Sequence, residues 1–89
     1  MAVQKELKII NKLGLHARPA MLLVKTASQF QSEIKIVKDD IEVNAKSIMG
    51  VLILAAEKGS IVKVIADGPD EKEAVESIAK LFADGFGED

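Results

Sequence analysis

The only histidine of this 89-residue chain stands in the run Gly14-Leu15-His16-Ala17-Arg18-Pro19-Ala20. An imidazole can act as a nucleophile and form a covalent intermediate with an electrophilic centre. Arg18, two residues on, carries a permanent cation whose planar fork suits phosphate oxygens. Pro19 fits only in the first turn of a helix, so a helix must begin at about His16 or Ala17. The free N–H groups and the dipole at such an end form an anion site. An imidazole, a guanidinium and the open N–H groups of Ala17 and Arg18 are the parts needed to hold a phosphoryl group and meet its charge. A lone histidine in this place serves more often as a plain N-cap. Its coupling to Gly14, Arg18 and Pro19 in that order favours the chemical reading. No Gly-x-Ser-x-Gly segment is present, and a chain this small has little room for a substrate cleft, so a catalytic triad is unavailable.

The elements that must position these residues can be read from apolar spacing. Val3, Leu7 and Ile9 fall on one side of a period-2 pattern, with Gln4, Glu6 and Lys8 on the other, which predicts a strand. Asn11-Lys12-Leu13-Gly14 supplies turn chemistry. From Ala17 to about Phe30 the spacing of Ala17, Ala20, Met21, Val24 and Ala27, widened by Leu23 and Phe30, is helical. Ile34 and Ile36, then Ile41 and Val43, alternate with polar residues around Asp39-Asp40 and predict a hairpin. A short apolar helix from about Ser47 to Leu54 and a strand over Ile61 to Ala66 follow. Asp70 and Glu73 have the spacing of a capping box for a final helix whose buried face is Ala74, Ile78, Leu81, Phe82 and Gly85. The last residues, Gly87-Glu88-Asp89, are expected to fray. The order β-α-β-β-α-β-α, with half-buried strands, predicts an α+β fold: an antiparallel four-stranded sheet with three helices over one face.

Composition narrows the function classes. The hydrophobic fraction of 48% and charged fraction of 29% are those of a globular domain. A formal charge of −2, with lysines spread along the chain, lacks the footprint of a nucleic-acid binder. With no cysteine and one histidine, disulfides, iron–sulfur clusters and thiolate zinc sites are excluded, and no metal or cofactor is expected. There is no run of about 20 apolar residues and no apolar signal core at Met1-Ala2-Val3-Gln4-Lys5-Glu6. The expectation is one cytoplasmic domain over residues 1–89, without membrane insertion.

Asn11-Lys12-Leu13-Gly14-Leu15-His16-Ala17-Arg18-Pro19-Ala20 resembles the active-site signature of the histidine-containing phosphocarrier (HPr) family of the bacterial phosphotransferase system. Lys46-Ser47-Ile48-Met49-Gly50-Val51 is similar to that family's second signature, around its regulatory serine. The resemblance covers essentially the whole chain. It implies an open-faced β-sandwich with strand order 1-4-2-3. It also implies a phosphoryl carrier rather than an enzyme. His16 would accept a phosphoryl group through Nδ1 from phosphorylated enzyme I, which draws on phosphoenolpyruvate, and pass it to the IIA domains of sugar permeases. Arg18 would stabilise the phosphate. Ser47 would be the target of HPr kinase/phosphorylase, and phospho-Ser47 would engage a transcriptional regulator. A monomer is expected.

Ser47 by itself is a natural N-cap for the short second helix. A phosphate there is electrostatically tolerated, so the two roles are compatible. The expected docking surface comprises Leu15, Ala20, Ile48, Met49 and Leu52, with charge from Lys25 and Lys46, since exposed apolar patches mark interaction surfaces and methionine adapts to several partners. Met21 stands where many sugar-pathway members have threonine, and the tail Leu81–Asp89 is similar to that of the nitrogen-related paralogue. The Ser47 segment instead resembles the kinase-regulated sugar type. The rival readings are a nitrogen-related phosphocarrier, a regulatory binding module acting through phospho-Ser47, and a small-ligand sensor domain of split β-α-β type.

Overall fold

The computed structural model describes residues 1–88, and its sheet is organised around its last strand. Strand β1 (Val3–Lys8) and strand β2 (Glu33–Lys38) both pair antiparallel with β4 (Ile61–Asp67), while β3 (Ile41–Asn44) pairs with the free side of β2. The order β1-β4-β2-β3 is the one the resemblance implies. Val62, Val64 and Ala66 of β4 and Ile34 and Ile36 of β2 point to one face and are buried, as period-2 alternation requires.

Three helices cover that face: α1 (Ala17–Ala27), α2 (Ile48–Ile53) and α3 (Glu71–Ala83). α3 packs on β1 and β4, and α1 packs against both other helices. The buried stripe of α1 is Ala20, Leu23 and Ala27, and that of α3 is Ala74, Val75, Ile78 and Phe82. Leu23, Ile34, Ile36, Ile78 and Phe82 are almost inaccessible, and each such burial contributes about 1.5–3 kcal/mol.

Several sequence expectations are corrected. α1 stops at Ala27 rather than near Phe30, because the N–H of Ser28 closes the last turn on Val24 O and the chain then turns through Gln29 and Phe30. Its buried face is rotated from the predicted one: Ala17 and Met21 are exposed. The capping box does not form. The Asp70 carboxylate makes no cap bond and instead accepts the Gln31 N–H (2.9 Å), the Ser32 N–H (3.0 Å) and the Ser32 hydroxyl (2.5 Å). It thereby ties the turn after α1 to the start of α3. These bonds, the Ser32 hydroxyl foremost and then the Gln31 N–H, hold the Asp70 carboxyl below the usual aspartate range.

Gly85 lies beyond α3 rather than on its buried face, in a 3₁₀ turn (η1, Gly85–Gly87). Gly85, Phe86 and Gly87 have φ of +59°, +56° and +71°. For Phe86 the left-handed region costs roughly 1–2 kcal/mol. Its ring is buried and meets Phe82 at a centroid distance of 4.9 Å, which offsets that strain. The end of the chain is therefore anchored where fraying was expected, with Asp89 outside the described residues.

The loop before α1 is laced to the loop after α2. Ile9 N–H donates to Ser60 O (3.0 Å), Gly59 N–H to Ile9 O (2.7 Å) and Leu15 N–H to Ala56 O (2.9 Å). Gly14 has φ +66°, and a Cβ there would run into the Ala56 carbonyl oxygen and within 2.9 Å of Glu57 Cα. Only glycine permits both the conformation and the approach.

Two predictions follow from this framework. Gly14→Ala lowers stability by about 2–4 kcal/mol through backbone strain and crowding, read as a lower denaturant midpoint at constant m-value. An unchanged midpoint would contradict the close approach. Asp70 has a depressed pKa in the folded state, so its contribution is complete above the unfolded aspartate value of roughly 3.9 and is lost as pH falls through the lower folded value. The stability gap between wild type and Asp70→Ala is expected to be constant near neutrality and to close below about pH 4. A gap independent of pH would show that the carboxylate charge is irrelevant.

Candidate functional site

His16 is the N-cap of α1, with extended backbone (φ −74°, ψ −172°) and a carbonyl that accepts the Ala20 N–H at 3.0 Å. Its side chain makes no cap bond, and the first turn carries no acidic residue. Pro19 has no N–H, and the N–H groups of Ala17 and Arg18 take no partner among the described residues. The helix end is left open, with its positive dipole facing the space beside the imidazole.

An anionic group already sits there. Both Glu88 carboxylate oxygens lie 3.0 Å from His16 Nε2, and Oε2 accepts from Arg18 Nη1 at 3.2 Å. Asn11, buried in the preceding loop, donates from Nδ2 to Glu88 Oε1 (3.0 Å) and to Gly14 O (2.7 Å). Both neighbours are acceptors, which fixes the amide with its NH₂ toward them. The Asn11 Oδ1 is buried without a partner among the described residues. The contacts from His16, then Asn11 and Arg18, hold the Glu88 carboxyl below the usual glutamate range, against the opposing effect of partial burial. At neutral pH it is a carboxylate and only an acceptor, so the Nε2 of His16 is the donor in this pair.

The structure brings His16 and Arg18, the two residues singled out from the sequence, together on one carboxylate, while sequence reasoning missed Glu88 and the side-chain contacts of Asn11. Glu88 lies 72 residues from His16, and no local pattern links them.

The apolar expectations are met in part. Met49 is 65% exposed and Leu52 38%, and Ile48 is half-buried beside them. Leu15 and Ala20, at 3% and 0%, are not available to a partner: they are core residues under the His16 loop. Ile53, Met21 and Leu13 are exposed as well and were not anticipated. Met21 lies in a shallow hollow with Ala17, Arg18, Leu22 and Lys25. Lys46 is not a free surface charge, since its Nζ donates to Phe30 O at 2.7 Å. Ser47 is the N-cap of α2, and its Oγ accepts the Gly50 N–H at 3.1 Å. Among the described residues no cluster of metal-ligating side chains occurs, and no helix is long and apolar enough to cross a membrane.

Comparison with known proteins gives a consistent result. A family model described as the PTS HPr component phosphorylation site matches residues 3–84. The phosphocarrier protein HPr of Treponema pallidum is 48% identical over 87 residues, covering 98% of this chain and 99% of that protein. The crystal structure of HPr-C-His from Thermoanaerobacter tengcongensis superposes with a TM-score of 0.95 at 48% identity, covering 98% of each chain. A structure described as an HPr dimer from the same organism gives a TM-score of 0.79 at 52% identity over 91% of this chain and 93% of that one. The family match spans all four strands and all three α-helices, and it includes the loop that carries His16, so this chain belongs to the HPr family of phosphocarrier proteins of the phosphotransferase system.

Proposed function

We propose that this chain accepts a phosphoryl group on Nδ1 of His16 from phosphorylated enzyme I and delivers it to the IIA domains of sugar permeases. The observation that carries the reading is the open start of α1, where an imidazole and a guanidinium converge and a carboxylate already occupies an anion-seeking position. In the transfer, the Nδ1 lone pair attacks phosphorus as the donor's bond to phosphorus breaks, and the phosphoryl oxygens gain the N–H groups of Ala17 and Arg18 and the Arg18 side chain. The chain is a substrate of its partners, with docking supplied by the exposed Met49 and Leu52 and the half-buried Ile48 on α2, the helix that packs against α1. Ser47 is a second modification site, for HPr kinase/phosphorylase. Its side chain opens α2 directly beside Ile48 and Met49, which supports a regulatory role.

His16→Ala is expected to abolish phosphate acceptance from phosphorylated enzyme I while circular dichroism stays native. Acceptance by the variant would place the site elsewhere. Arg18→Ala is expected to slow transfer about ten- to a hundredfold, since a charge-assisted contact of about 1.5–3 kcal/mol is lost with the phosphorylated state. Equal rates in both the donor and the acceptor step would exclude that role.

Phosphorylation of Ser47 adds about −1.5 to −2 charges next to an apolar contact, and binding would require their desolvation. The expected result is a native fold with enzyme I affinity reduced at least about tenfold, Ser47→Ala behaving as wild type. Partners that present an arginine or lysine opposite Ser47 bind the phosphorylated form more tightly. Unchanged enzyme I affinity of authentic phosphoserine protein would leave Ser47 as a cap alone.

A further inference from the structure

The tail is built to deliver one side chain. After α3, three consecutive residues of positive φ reverse the chain, the buried Phe86 ring locks the reversal against Phe82, and the N–H of Glu88 donates to Gly85 O at 2.9 Å. Glu88 then meets three side chains of the phosphoryl site, His16, Arg18 and Asn11, and its own side chain is only 16% exposed. Asn11 is itself fixed by Gly14 O, so the carboxylate is held from the loop side as well as from the tail.

We infer that Glu88 is a positioning residue for phosphoryl transfer: its carboxylate holds the His16 ring with Nε2 protonated and Nδ1 free, and balances the positive ring formed when Nδ1 bonds to phosphorus. The inference rests on the phosphocarrier reading of His16.

The two nitrogens of an imidazole face opposite sides of the ring. A carboxylate bound to Nε2–H therefore leaves the Nδ1 lone pair turned away from its negative charge. In the neutral ring either nitrogen can carry the proton, and the Nδ1–H form has no lone pair at the attacking position. A carboxylate on one ring nitrogen selects the productive tautomer, as an aspartate does for a catalytic histidine in hydrolytic triads.

The second contribution comes with the reaction. Nδ1 gives its electron pair to phosphorus, the donor protein's own nitrogen–phosphorus bond breaks with its pair returning to that nitrogen, and His16 becomes an N-phosphoimidazolium. No proton leaves: Nε2–H stays on Glu88. The ring is more positive in the transition state than before it, so a fixed carboxylate at Nε2 stabilises the transition state more than the ground state. On delivery the Nδ1–phosphorus bond breaks, its pair returns to Nδ1, and because Nε2 has kept its proton the group that leaves is neutral imidazole. Arg18 uses a single nitrogen on Glu88, and the guanidinium has further N–H donors for the phosphoryl oxygens.

The test compares Glu88→Gln and Glu88→Ala with wild type, alone and in an Arg18→Ala background, in single-turnover transfer from phosphorylated enzyme I. It is paired with ¹⁵N NMR of the one histidine ring. Glu88→Gln keeps an acceptor for Nε2–H and loses the charge, so transfer is expected to slow roughly three- to thirtyfold with KM moving less than about twofold. Glu88→Ala loses both, and the neutral ring shifts from the Nε2–H form toward the mixture of tautomers of a free imidazole. The slowing persists without Arg18, because it acts through His16.

Rates equal to or faster than wild type would overturn the inference, the faster case identifying Glu88 as a competitor for the phosphoryl site. So would a Glu88 effect that vanishes in the Arg18→Ala background, or a tautomer ratio indifferent to residue 88. A wild-type chain that accepts no phosphoryl group would instead overturn the phosphocarrier reading and this role with it.

Discussion

A helix that begins without a side-chain cap leaves its first N–H groups and its partial positive charge to be met by water or by an anion from elsewhere. The three helices of this chain begin in three ways. α2 is closed by the Ser47 hydroxyl, and α3 carries Glu71 and Glu73 in its first turn. α1 alone begins with neither, and the surrounding structure maintains that condition. The hydrogen bonds between the two neighbouring loops fix the approach to His16, glycine at position 14 lets the backbones touch, and Pro19 sets the first turn without adding a donor. The negative charge arrives from the far end of the chain, on a side chain that meets the Nε2 edge of the ring and leaves the Nδ1 edge to a more highly charged group.

Exposed apolar side chains stand on α2 (Met49, Leu52 and Ile53) and on α1 (Met21), and these two helices pack against each other. Their position follows from helix geometry: a six-residue helix laid on a sheet buries chiefly Val51, and its other faces cannot all find cover. The loop that leads into α1 and the loop that leaves α2 are sewn together by hydrogen bonds, which fixes the two helices relative to each other.

What the sequence made legible were features whose physical cause is local. Proline in a first turn, period-2 strands and a serine before an apolar run each report on neighbours within a few residues, and the strands, the β2–β3 hairpin and the starts of α1 and α2 came out accordingly. The family resemblance carried the strand order, which no local pattern contains. The errors have a common origin in long-range choices. Asp70 had the spacing to cap its own helix and bonds instead to the turn at Gln31 and Ser32. Met21 fits a helical stripe by period but sits on the outer flank of α1. Leu15 and Ala20 neighbour the histidine in sequence and face the core in space. Glu88 looked like a solvated terminus because only the packing of Phe86 against Phe82 reveals where the tail goes.

The place of β4 has a consequence for how the chain acquires its structure. Val3 lies opposite Ala66, and Glu33 opposite Asp67, so both halves of the sheet are joined only through a strand made late in synthesis. A chain leaving the ribosome can close α1 and the hairpin of β2 and β3. The apolar side of β2, Ile34 and Ile36, then has no neighbouring strand on one flank until Ile61–Asp67 emerges. Pairings of such sequence separation slow folding relative to helical bundles, because the loop-closure entropy is lost before the contacts form. Meanwhile β1 waits as an unpaired strand, and its polar run Gln4, Lys5 and Glu6, followed by Lys8, guards it against pairing with another chain. Assembly of this sheet is in effect timed by its fourth strand, and partial versions of it have little to hold them together.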